Sequence, residues 1–204
     1  MEVICVLKKT WKEFKVSLVF TFYLSLVRSF VILSLLSIYV YSNLTRNSVY
    51  YAKYIPHSEG RNPQVEMLLH NLDKVYTPEI KGLDYLNFCV IELGNCQKYR
   101  KVGIEGVSEG KEGSVEYRNV ELDRELNGYL YSYRNESYHF TENYRIFSYY
   151  VDNFTEKPIN GIDEKKIKKE MYAVVKPVID EQTEPLINLQ WIFTWWYGDE
   201  FKNQ

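Results

Sequence analysis

The chain begins with a polar, lysine-bearing lead, enters an apolar stretch from Val16 to Tyr41, and then changes character. Beyond Tyr41 the hydrophobic positions come in short periodic groups separated by Gly, Pro, Asn and Asp. A bilayer core about 30 Å thick takes roughly 20 apolar residues of helix, so the stretch predicts one transmembrane helix. Arg28 lies inside it. A span from about Phe22 to Tyr41 leaves Arg28 about two turns inside the basic end, where its guanidinium can snorkel to the headgroups. Tyr39 and Tyr41 then mark the interfacial belt at the other end.

The same patterning orients the span. Lys8, Lys9, Lys12 and Lys15 precede it, whereas only Arg46 and Lys53 follow closely, so the positive-inside rule puts the N-terminus in the cytoplasm. The expected layout is a cytoplasmic lead over 1–15, a span over 16–41, a stalk over 42–61 and an extracellular domain over 62–204. A cleaved signal peptide is the competing reading; the stretch SNLTRN offers it only weak small-residue cleavage sites.

Past the stalk, Asn62-Pro63 predicts a helix start, with an apolar face of Val65, Leu68, Leu69, Leu72 and Val75 running to Tyr76. The period then changes. Tyr85–Leu93, Tyr99–Val107, Val115–Val120, GYLYSYR from Gly128, Tyr138–Thr141 and Tyr144–Phe154 read as short strands with local turn signals. The turns include Gly94-Asn95, the glycine-bearing EGVSEGKEG and Asn135-Glu136-Ser137. Asp163 starts a second helix whose Ile167, Met171, Val174 and Val175 share a face, with Pro177 expected to kink or end it. Glu184-Pro185 opens a third, LINLQWIFTWWYG, with Gly198 as its expected cap and Leu186, Leu189, Ile192, Phe193 and Trp196 expected on the sheet. The fold class is α+β: an N-terminal transmembrane helix, then an antiparallel β-sheet meander of five or six strands with one preceding helix and two C-terminal helices.

Composition narrows the function. The first 41 residues hold five of the 25 basic and two of the 27 acidic side chains, leaving the outer part a net charge of −5. That balance argues against nucleic acid and against adhesion to anionic headgroups, and it suits a basic partner or a cation. Cys5 belongs to the cytoplasmic lead, while Cys89 and Cys96 share the outer domain. A disulfide is chemically permitted there, but a two-residue turn at Gly94-Asn95 would set Cys89 opposite Arg100, so the pairing stays open.

Recognisable chemistry is sparse. His57, His70 and His139 form no HExxH or paired-histidine pattern, and no GxSxG, GxGxxG or phosphate-binding loop is present. The acids Glu105, Glu109 and Glu112 among the glycines read as a solvated hairpin loop. No metal, cofactor or catalytic constellation is expected, so the chain is read as a non-enzyme. The unusual feature is tyrosine: sixteen of nineteen lie beyond residue 41, and Tyr129, Tyr131 and Tyr133 share one face of a strand. Tyrosine gives large contact area at small entropic cost and is enriched at recognition surfaces. The alternative is that these tyrosines pack under the helices with their hydroxyls at the rim. The candidate partner-binding set is Tyr129, Tyr131 and Tyr133 with the acids Glu116, Glu121 and Glu125.

A cytoplasmic stub, one anchor and a small outer sheet-plus-helix domain resemble the TipC family of streptococcal immunity proteins. The closing segment LINLQWIFTWWYGDEFKN is similar to the tryptophan-containing helix near the end of that family. The resemblance covers most of the chain as organisation. It implies a protein partner, a TelC-like toxin exported by type VII secretion in interbacterial competition, which degrades the cell-wall precursor lipid II. It also implies that an acidic, concave sheet face covers the toxin's active-site region. The expected role is an immunity protein that neutralises this toxin at the outer face of the cell membrane. A membrane-tethered cell-surface enzyme and a sensor or structural subunit of an envelope complex are the competing roles.

Overall fold

The computed structural model describes residues 2–92, 95–109, 114–123, 128–152 and 155–202. The chain divides into two compact units, Met1–Ser42 and Asn43–Gln204. Helix α1, Glu2–Arg46, is a 45-residue element that contributes nearly all of the first unit. Its stretch from Phe20 is long and apolar enough to cross a membrane, and its side chains, including Phe22, Phe30 and Ile38, are exposed within the unit. A helix bare on all sides is what a bilayer, and not a protein core, would cover.

The second unit starts in what the hydrophobic pattern suggested was a stalk. Leu44 and Thr45, in the last turn of α1, are buried, and α2 (Ser48–Ala52) buries Val49, Tyr51 and Ala52. Residues 43–61 are therefore part of the folded unit. Alternation of polar and aromatic residues over so short a stretch does not reveal a one-and-a-half-turn helix.

Helix α3 (Pro63–His70) starts as predicted: Asn62 accepts a hydrogen bond from Val65 N at 3.3 Å, with Pro63 in the first turn. It stops at His70, earlier than its apolar face suggested. Asn71 donates its side-chain amide to the Met67 carbonyl, a local bond that competes with helix continuation. Leu72 and Val75 reach the core from the following turns.

Seven strands follow: β1 (Leu83–Glu92), β2 (Asn95–Glu109), β3 (Val115–Asp123), β4 (Gly128–Tyr133), β5 (Glu136–Thr141), β6 (Ile146–Val151) and β7 (Thr155–Lys157). They form one antiparallel sheet in sequence order, each paired with the next. Gly103, Glu105 and Gly106 lie inside β2, within the strand read over Tyr99–Val107, and the strand runs on to Glu109 into the segment read as a turn. A Cβ on Gly106 would sit 3.5 Å from Val174, an ordinary contact distance, so the next helix packs directly over this position. Gly128 is stricter: a Cβ there would lie 1.9 Å from the Phe140 carbonyl oxygen. In β1 and β2, Cys89 is opposite Tyr99 and Cys96 opposite Ile91, so the cysteines are not cross-strand partners; their side chains lie outside the described residues.

Helix α4 (Glu164–Asp180) is capped by Asp163, which accepts from Lys166 N at 3.1 Å. Ile167, Met171, Val174 and Val175 are buried on one face, as their spacing predicted. The helix runs through Pro177 for three further residues, so the proline interrupts one backbone bond without ending the element. Helix α5 (Gln190–Lys202) begins later than Pro185, where Asn188 accepts from Gln190 N at 2.9 Å, and continues past Gly198. It does not lie across the sheet. Phe193 packs on Tyr51 of α2, with ring centroids 5.4 Å apart, and Phe201 lies under Arg61.

The core forms between α3, α4 and one face of the sheet. A single cross-strand row runs through it: Ile104, Val120, Tyr131, Tyr138 and Tyr149 are successive partners in β2 to β6. Tyr131 stacks on Tyr138 at 6.2 Å and Tyr138 on Tyr149 at 4.8 Å. Aromatic pairing across strands stabilises this layer beyond its buried area.

Candidate functional site

Strand alternation places the predicted site residues on opposite faces of the sheet. Tyr129 and Tyr131 point under the helices and are 4 % and 0 % exposed, so the structure corrects their role from contact residues to core. Burial pushes both phenols far above the usual tyrosine range. Tyr131 donates to Glu170 of α4 at 3.3 Å, the hydroxyl-at-the-rim arrangement that sheet tyrosines adopt under a helix.

Tyr133 lies on the same face, farther along the strand, and is half-buried. Its hydroxyl donates to Glu116 at 2.8 Å, and Arg134 binds the same carboxylate at 2.7 Å. The guanidinium groups of Arg118 and Arg134 approach the Tyr133 ring at 4.7 and 4.9 Å. Hydrogen bonds from Arg134 and then Tyr133 hold the Glu116 carboxyl below its ordinary value. Glu116 is thus an internally neutralised acid. Arg134 sits in the tight β4–β5 turn with φ of 55°, a left-handed conformation that costs a side chain about 1–2 kcal/mol.

Glu121 is different. Its neighbour Val120 faces the helices and is buried, so Glu121 faces the opposite way. Helices α3 and α4 pack on the Val120 side, and Glu121 is on the other. There Glu105 of β2 is the direct partner of Asn119, and Glu121 is two residues along β3 from Asn119. Glu105, Asn119 and Glu121 therefore form a compact group of hydrogen-bond acceptors across two strands. Burial, and then the charge of Glu105, push the Glu121 carboxyl up from its ordinary value. The Asn119 Oδ1 is buried and has no hydrogen-bond partner among the described residues. A buried acceptor without a donor carries an unmet desolvation cost.

A cavity of about 450 Å³ opens beside this group, lined by Val115, Glu116, Tyr117, Asn119, Ser132 and Arg134. Tyr117 and Val115 are exposed at its edge. Farther across the same face, His139 meets Tyr150 and Phe147 edge-on at 5.2 and 6.0 Å. Among the described residues, no three His, Cys, Asp or Glu side chains converge in a way that could hold a metal ion. Glu125 lies outside the described residues.

Glu105 was missed in the sequence because the glycines around it suggested a loop, and Asn119 because strand pairing, not spacing along the chain, sets it opposite Glu105. The alternation of Gly103, Glu105 and Val107 with buried Ile104 carried the signal. Comparison of the chain with protein-family models, with curated proteins and with solved structures finds no match. The arrangement of these residues therefore carries the functional reading by itself.

Proposed function

We propose that this protein is a membrane-anchored immunity protein. In this reading it binds a secreted antibacterial toxin at the outer face of the cytoplasmic membrane and neutralises it by covering the toxin's active site. The observation that carries the reading is the group Glu105, Asn119 and Glu121 on the sheet face opposite α3 and α4. Two neighbouring carboxylates on one sheet face match a lysine or arginine presented by a protein partner. Burying a raised carboxyl beside a second acid is unfavourable until such a cation arrives, so binding would relieve a cost already present in the free protein. Anchoring by α1 would raise the local concentration of the antidote where the toxin acts.

The test is to reconstitute the full chain in nanodiscs with a candidate exported toxin and to measure complex formation and residual lipid II cleavage. A stoichiometric complex without cleavage, lost in the Glu105→Gln/Glu121→Gln variant, is the expected result. A folded protein that leaves an active toxin unbound would overturn that pairing.

One observation favours a second reading. Glu121 and His139 are both cross-strand partners of Leu130, roughly 10 Å apart by strand spacing, on a face where the carboxyl is already raised. An enzyme acting on cell-surface substrates would lose turnover in both Glu121→Gln and His139→Ala without any toxin present.

A further inference from the structure

The first two turns of helix α5 carry only two polar side chains besides its aromatic ones, Gln190 and Thr194, hydrogen-bonded to each other at 3.2 Å. Phe193 and Phe201 form its buried stripe against α2 and Arg61. On the far side Trp191, Trp195 and Trp196 are 71 %, 76 % and 52 % exposed. The loop before the helix adds Leu186, wholly exposed, and Ile187. An exposed apolar patch of this kind marks a contact surface. Thirteen residues of helix span only about 20 Å, too short to cross a bilayer.

The position of the patch identifies what covers it. Asn43, the first residue of the second unit, donates its side-chain amide to the Ile187 carbonyl at 3.3 Å. Tyr51 locks the same junction, donating to Asn43 Oδ1 at 2.6 Å and accepting from Leu189 N at 3.1 Å. Residues 186–189 are thus tied to the point where the chain arrives from the apolar segment. A bilayer holding that segment has its surface at this end of the folded unit. Tryptophan prefers the boundary between acyl chains and headgroups, where the ring is buried and the indole N–H stays hydrated.

We infer that the Leu186–Trp196 patch is a second membrane contact, inserted into the interfacial layer of the bilayer that holds α1. This surface is separate from the acceptor group on the sheet. The inference rests on α1 being a membrane anchor and does not depend on a toxin partner.

The chain has four tryptophans, so Trp11→Phe leaves only these three as indole fluorophores, excited apart from tyrosine at long wavelength. The full-length variant is reconstituted into vesicles of phosphatidylcholine and phosphatidylglycerol carrying brominated acyl chains. Bromines placed near the headgroup should quench most of the tryptophan emission, and deeper bromines less. High salt should leave the quenching unchanged, because apolar insertion, not headgroup charge, drives the contact. Trp191→Ser and Trp195→Ser, both at exposed positions, should each shift the remaining emission to longer wavelength. Emission unquenched by lipid but quenched by aqueous acrylamide would overturn the inference. Emission shielded from both, with crosslinking between copies or to a partner, would also overturn it by assigning the patch to a protein contact. Failure of the chain to float with the vesicles would overturn the anchor and the patch together, whereas floating without lipid quenching removes the patch alone.

Discussion

Arg61 and Glu66 form an ion pair in which both side chains are almost wholly withdrawn from solvent, 4 % and 6 % exposed. Arg61 also donates to the Glu200 carbonyl at 2.5 Å and lies 4.8 Å from the Phe201 ring centroid. One guanidinium thus joins the start of α3 to the end of α5. The Glu66 hydrogen bond is the main reason the Arg61 pKa is raised.

Breaking that pair leaves a buried cation without its partner. Glu66→Ala should cost about 3–5 kcal/mol, whereas replacing both residues by apolar ones of similar volume should cost much less. Chemical denaturation of the full chain in detergent, comparing Glu66→Ala with Arg61→Met/Glu66→Leu, checks the difference.

Gly128→Ala drives a methyl group into the Phe140 carbonyl, a backbone atom that cannot rotate away. The expected loss is about 1–3 kcal/mol, with the β4–β5 pairing disturbed first. Amide hydrogen exchange at Gly128–Tyr133 and Glu136–Thr141 should show faster opening than in the parent.

Glu121 predicts a pH signature. Its native pKa is raised, so the folded state holds the proton more tightly than the unfolded chain does. The favourable contribution is fully present below the unfolded pKa and is lost as pH rises through the raised native value. Glu121→Gln should therefore melt higher than the parent at neutral pH, and the gap should close in acid. The same variant should weaken partner binding. A residue whose replacement stabilises the fold while impairing function fits a binding site and does not fit a packing role.

The tyrosines should behave in the opposite way. Tyr131→Ala removes a fully buried ring and should cost about 3–5 kcal/mol, with any loss of binding following the loss of folded protein. Tyr133→Phe should cost about 1 kcal/mol, from one hydrogen bond to Glu116. Thermal melts paired with binding titrations on the folded fraction separate these effects from that of Glu121→Gln.

Much of the molecule was legible in the chain because local physics decides it. The apolar run, the Asn62-Pro63 start, the α4 face of Ile167, Met171, Val174 and Val175, and the alternating strands all follow from side-chain period and capping chemistry. The consecutive antiparallel order also follows, since short turns join neighbours without crossovers.

What alternation cannot say is which of two faces a helix will cover. A strand with Tyr129, Tyr131 and Tyr133 on one side has the same period whether that side is core or surface. Only the docking of α3 and α4 chose, burying Tyr129 and Tyr131 and leaving Glu105, Asn119 and Glu121 on the opposite face. The place of α5 was likewise decided by distant contacts, Phe193 on Tyr51 and Phe201 on Arg61, which took the helix off the sheet and left its tryptophans bare. Periodicity within a segment therefore determined the elements of this protein, and contacts between residues far apart in sequence determined which of its surfaces remain to bind.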